Sequence, residues 1–134
     1  MATQFSVTVR NARLAAIVTA IGPSPTLKIR TGTVPGSTAA ADSGTVLASA
    51  TLPTTWAATP SGGSMAKSGT WSDVAADAGG TAGHYRLYDS GGTCHIQGTV
   101  TAGGGGGDMT LDTVTVTLGQ PVVVTAYTLT DANQ

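Results

Sequence analysis

One stretch of the chain carries a helical period, and nearly everything after it alternates. From Ser6 to Ile21, the apolar residues Leu14, Ile17, Val18 and Ile21 recur at i, i+3, i+4 and i+7, which places them on one helical face. Arg10 and Arg13 fall on or beside the opposite face, and Gly22-Pro23 supplies a sharp stop. A second reading of the same stretch makes Phe5, Val7 and Val9 an alternating strand that enters a shorter helix at Asn11. After Pro25 the period becomes two: Leu27 and Ile29 alternate with Lys28 and Arg30, and Val46, Ala48, Ala50 and Leu52 alternate with Thr45, Leu47, Ser49 and Thr51. Alternation returns at Tyr85–Leu87, at Ile96–Val100 (interrupted by Gly98), at Val114–Leu118 and at Val122–Leu129. Val and Thr dominate these runs, as suits a half-buried pleated surface.

Turn chemistry separates the runs. Asp89–Thr93 reads as a hairpin loop in which glycine supplies positive φ, and Gly119–Val122 as a second turn. The stretch from Thr54 to Gly83 has short apolar pieces around Trp56, Met65 and Trp71, and predicts one or two short strands among long loops. Gly103 to Gly107 are five consecutive glycines, expected to form a flexible loop joining a hairpin to the last two strands. The sum predicts an all-β fold, a β-sandwich or jelly-roll-like domain over residues 1–134, with one short N-terminal helix inside a helical or arm segment of about residues 1–23.

Composition sharpens this picture. Thr, Ala, Gly and Ser make up 73 of 134 residues, Glu is absent, and charged residues are 10% against roughly a quarter in an ordinary domain. Val, Leu, Ile and Phe number 25, so the core is thin, and thin cores are often completed by partners. A net charge of -1 offers no footprint for nucleic acid. The longest apolar run, Leu14 to Val18, falls far short of the ~20 residues of a membrane helix. With no basic-then-apolar leader and a lone Cys94, the expected product is made in a reducing cytoplasm.

Candidate chemistry is sparse. Ser64 and Lys67 match S-x-x-K, but flanking glycines argue against the helix that would align them. His84, Cys94 and His95 are soft metal ligands that a hairpin could gather, yet a structural zinc site wants four ligands and the fourth is missing unless Asp89 bends back. Asp73 and Asp77 have i, i+4 spacing, as paired glycosidase carboxylates on a helix would, but Ala and Gly surround them; Asp108 and Asp112 lie beside the glycine run and could donate oxygens to calcium, without the EF-hand pattern. The glycines precede no Lys-Thr or Lys-Ser, so they are no phosphate cradle. Trp56 and Trp71 fit either core anchors or a platform for sugar rings, the core being favoured because large residues are so few. No catalytic, metal or cofactor site is expected.

Three segments carry a resemblance: Met1 to Leu14 (MATQFSVTVRNARL), His84 to Gly98 (HYRLYDSGGTCHIQG) and Asp108 to Asp112 (DMTLD). Together they resemble small structural proteins of tailed-bacteriophage virions. The resemblance implies a non-enzymatic virion component, a head decoration (cement) protein on the outer face of the capsid, made in the bacterial cytoplasm. It further implies the phage major capsid protein as partner and a homo-oligomer, dimer or trimer, with neither nucleic acid nor membrane as a target. Phe5, Val7, Val9, Arg10, Arg13 and Leu14 are the candidate capsid or oligomer contacts. The alternative is a carbohydrate- or receptor-binding β-sandwich module on a phage tail or fibre, using Trp56, Trp71 or the glycine loop.

Overall fold

The computed structural model describes residues 3–132. The N-terminal stretch resolves in favour of the longer helix, α1 (Val7–Ile21). Ser6 caps it, its Oγ accepting from the Val9 amide at 3.3 Å, and Gly22 ends it at φ 82°. The predicted apolar stripe is the inward face: Leu14 and Ile21 are buried, and Ile17 and Val18 pack half-buried against the core.

The strands follow as β1 (Thr26–Thr31), β2 (Val46–Thr51), β3 (Ser64–Ala66), β4 (Ser72–Asp73), β5 (Gly80–Tyr88), β6 (Cys94–Ala102), β7 (Met109–Leu111), β8 (Thr115–Val116) and β9 (Val122–Thr130). Strand-rich structure with one N-terminal helix is therefore what forms among the described residues. Pairing runs continuously in the order β2-β1-β5-β6-β7-β9-β3, with β4 added to β9 and β8 to β5. The strands thus belong to one curled, mixed sheet wrapped over its core, where a β-sandwich or jelly-roll-like domain was expected. No helix among the described residues is long and apolar enough to cross a membrane.

The mixed character comes from the glycine run. β6 and β7 are parallel, Val100 lying opposite Met109, although only residues 103–108 connect them. Parallel neighbours ordinarily need a crossover of a dozen or more residues. Here the loop folds straight back over β6: Gly105 donates to the Ala102 carbonyl, Gly107 to Thr101 Oγ1 and Asp108 to Thr99 Oγ1. A Cβ on Gly107 would lie 2.9 Å from the Thr101 backbone nitrogen, so so tight a return needs a residue without a side chain there.

Inside the curl, Trp56, Trp71, Tyr85, Leu87, Met109, Leu111, Val122, Val124 and Tyr127 form the core with Leu27, Ile29 and Leu47. The rings of Trp56, Trp71, Tyr127 and Tyr85 form a continuous series, with centroids 5.2 to 6.2 Å apart. Tyr85 and Tyr127 share a hydrogen bond of 2.9 Å between their hydroxyls. The outer edge of β2 is covered as well: the Ser49 amide donates to Asp73 Oδ2, and the Asp77 amide to the Leu47 carbonyl. Those bonds occupy edge groups that would otherwise template another strand.

Candidate functional site

Two regions hold the buried charges and the predicted contact residues. The first is the outer face of β1, β5 and β6. Period-two alternation puts Leu27, Ile29, Tyr85 and Leu87 inside, and it puts Lys28, Arg30, His84 and Arg86 outside. Register then aligns Lys28 with Arg86, Arg30 with His84, and Arg86 with Gln97. This face is not left to water, because the 14-residue connection 32–45 between β1 and β2 lies across it. Arg86 donates to the carbonyls of Thr38 (2.7 Å), Ala40 (3.1 Å) and Ser37 (3.3 Å). Gln97 reaches the Pro35 carbonyl at 2.6 Å, and His84 Nδ1 donates to the Gly32 carbonyl at 3.0 Å.

Asp42 closes the cluster. Its carboxylate accepts from Arg30 Nη2 (2.9 Å), from Tyr88 OH (2.6 Å) and from Arg86 Nη1. The Tyr88 hydrogen bond, helped by both guanidiniums, holds the Asp42 carboxyl below its ordinary range, while burial and the same bond push the Tyr88 phenol up. Arg30 and Arg86 are 6% and 1% exposed, so their charges are compensated by one carboxylate and a row of carbonyl dipoles. The cluster's geometry is that of a clamp. It fixes the backbone of a long loop, and its Asp42 and Tyr88 also line an open cleft together with Lys28 and Asp89.

The second region is the N-terminal segment. Phe5, Val7 and Val9 are 43%, 46% and 41% exposed. Arg13 stacks on Phe5, with Cζ 5.0 Å from the ring centroid, and pairs with Asp131 at 3.1 Å. Arg10 Nη1 donates to the Asp131 carbonyl, and Asn11 Oδ1 accepts from the Gly63 amide, so the start of α1 is tied to the end of β9. Of the six predicted contact residues, Phe5, Val7, Val9 and Arg13 present surface and Arg10 is half-buried. Leu14 lies in the interior at 3% and faces the protein's own sheet. The outward positions Ala12, Ala15, Ala16, Thr19 and Ala20 extend the weakly polar surface along the helix.

The remaining constellations resolve into structural roles. Trp56 and Trp71 are each 1% exposed and donate to the Gly22 and Ser68 carbonyls, so neither offers a sugar platform. Ser64 lies on a strand, bonded to Thr130, and Lys67 turns to the Gly69 carbonyl. His95 pairs with Asp89 at 2.9 Å, which holds that carboxyl below its usual range, and Cys94 donates to the Ile96 carbonyl. His84 sits opposite Thr99, several residues along the ladder from Cys94, so the hairpin separates the three soft ligands. Among the described residues, no three His, Cys, Asp or Glu side chains stand together as metal ligands. Asp73 accepts from the Ser49 and Ala75 amides, Asp108 from Thr99, and Asp112 from the amides of Thr113 and Val123.

The clamp was not foreseen from the sequence. The available signal was the presence of Arg30 and Arg86 on runs that otherwise read as strands, facing a long Ser-, Thr- and Ala-rich connection with a single Asp. Compared with models of protein families, with curated proteins and with solved structures, the chain matches none.

Proposed function

We propose that this protein is a non-enzymatic structural component of a tailed-bacteriophage virion, a head decoration protein that binds the outer face of the major capsid shell and stabilises it. The observation that carries the reading is the exposed apolar run Phe5, Val7 and Val9, at and just before the start of a helix anchored to the sheet through Arg10, Asn11 and Arg13. A rigidly presented apolar segment costs little ordering entropy on binding. A surface of Thr, Ala, Gly and Ser adds to this, because few long side chains must be immobilised. The resemblance of the three quoted segments to virion proteins supplies the identity of the partner shell. Burial of both tryptophans removes the aromatic surface on which a carbohydrate-binding module would depend.

Densitometry of purified particles tests the reading: a decoration protein is present in hundreds of copies, whereas a tail adhesin is present in a few to tens. Removing residues 1–5 leaves the Ser6 cap and the Arg10 tether in place, so the shortened chain is expected to fold. It is also expected to fail to incorporate into particles. Normal incorporation of that chain, or a tail-like copy number, overturns the proposal.

A further inference from the structure

Two residues are far more exposed than their chemistry favours: Val74 at 82% and Leu118 at 69%. They are distant in sequence, but the loops that carry them meet in the fold. The Ala76 amide donates to the Gln120 carbonyl and the Gly119 amide to the Ala76 carbonyl, which joins the loop after β4 to the turn before β9. Val74 and Leu118 therefore lie exposed on neighbouring loops, which form one tip of the molecule beside the start of β9. Asp73 lies opposite Val122, Asp77 follows Ala76, and Asp112 accepts from the Val123 amide, so three of the seven carboxylates border this tip. None of the three enters an ion pair among the described residues, and residues 87–134 contain no Lys or Arg.

The other exposed apolar residues, Phe5, Val7 and Val9, lie at the opposite end of the same strand. Asp131, just past β9, holds Arg10 and Arg13, while the acidic tip surrounds Val122 at its start. A nine-residue strand spans roughly 27 Å. The molecule thus has an apolar pole with two arginines and one aspartate, and an apolar pole with three aspartates.

We propose that these poles are the two halves of a head-to-tail contact between copies of this chain, the Val74–Leu118 tip of one molecule receiving the Phe5–Val9 segment of the next. Each pole presents large aliphatic or aromatic anchors that gain by mutual burial. Their rims have opposite sign, which favours this pairing and disfavours like poles meeting. A contact between two different surfaces does not stop at a dimer. It closes a ring or continues as a chain, according to the rotation it imposes. The proposal takes from the preceding section only that residues 5–9 are a contact surface, and its test uses the isolated protein, so loss of particle incorporation and loss of self-association are separate results.

Sedimentation velocity of the intact chain up to about 200 µM is the primary measurement. Growth beyond the monomer with concentration is expected, weakened in about 0.5 M salt as the opposite rims are screened. Val74→Ser with Leu118→Ser removes the tip, and Phe5→Ser with Val9→Ser removes the segment; both pairs are at the surface, and unchanged thermal midpoints verify the fold. Each double variant alone is expected to be monomeric, with self-association weakened at least about tenfold. Their equimolar mixture is expected to form a dimer and stop there, because only one tip and one segment remain intact. A monomeric intact chain over this range, a tip variant that assembles normally, or a mixture that stays monomeric overturns the proposal.

Discussion

Removing the Asp42 carboxylate tests whether the clamp holds the loop. In Asp42→Ala, Arg86 keeps the carbonyls of Ser37, Thr38 and Ala40, but Arg30 keeps only longer contacts, to the Gly44 carbonyl at 3.4 Å and Tyr88 OH at 3.5 Å. Stripping one partner from a buried ion pair costs about 3–5 kcal/mol. The Asp42 side chain is 40% exposed, so water screens part of the interaction and the lower end applies, about 3 kcal/mol. For a domain of this size that corresponds to a fall in Tm of roughly 10 °C. Urea unfolding is the assay, and the midpoint should drop without a change in m. Adding Arg30→Met should recover about 1–2 kcal/mol, because the orphaned guanidinium is then gone. Because the Asp42 pKa is depressed in the folded state, its contribution is present above the ordinary value near 3.8 and is lost as pH falls through the lowered one. A loss under about 1 kcal/mol for Asp42→Ala, or strictly additive variants, would refute the clamp.

Three further outcomes follow from the same geometry. Burial raises the Tyr85 phenol and pushes Tyr127 up to about 12, so the folded state retains protons that the unfolded chain sheds near its ordinary value of 10. Stability measured by urea titration should hold below pH 10 and decline between there and about 12. Gly98→Ala would place a Cβ 2.8 Å from both Tyr85 Cε1 and Asp108 Oδ2, each already fixed by hydrogen bonds. Calorimetry should show a loss of about 2 kcal/mol, and a neutral result would mean that the ring and carboxylate shift freely. Treatment with a chelator should leave Tm unchanged, since His84 and His95 are engaged by the Gly32 carbonyl and Asp89; a loss reversed by zinc would show ligation instead.

The local elements were legible in the sequence because each rests on short-range chemistry. The stripe from Leu14 to Ile21 closed by Gly22-Pro23 specifies a helix, and alternation bounded by Asp89–Thr93 specifies the β5–β6 hairpin, whatever surrounds them. Burial of both tryptophans was equally readable, since a chain with so few large residues has little else to fill its centre. Phe5–Val9 was ambiguous because three alternating residues satisfy either period. The Ser6 cap and the tether to Asp131 decide for a helix that begins at Val7 and leaves Phe5 outside it.

Pairing order, by contrast, is set by contacts between distant segments. Nothing in the run Gly103–Gly107 states that it returns β7 parallel to β6. That follows from its fold-back onto Thr99 and Thr101. Arg30 and Arg86 have the same alternating positions as any solvent-facing strand residue, and only the loop 32–45 lying over them turns exposed charges into a buried clamp. Likewise Val74 and Leu118, 44 positions apart, come to lie on neighbouring loops at one tip through two backbone hydrogen bonds. Periodicity encodes which way a side chain points relative to its own strand, but what it meets there depends on chain closure over long separations, and only the tertiary structure decides that.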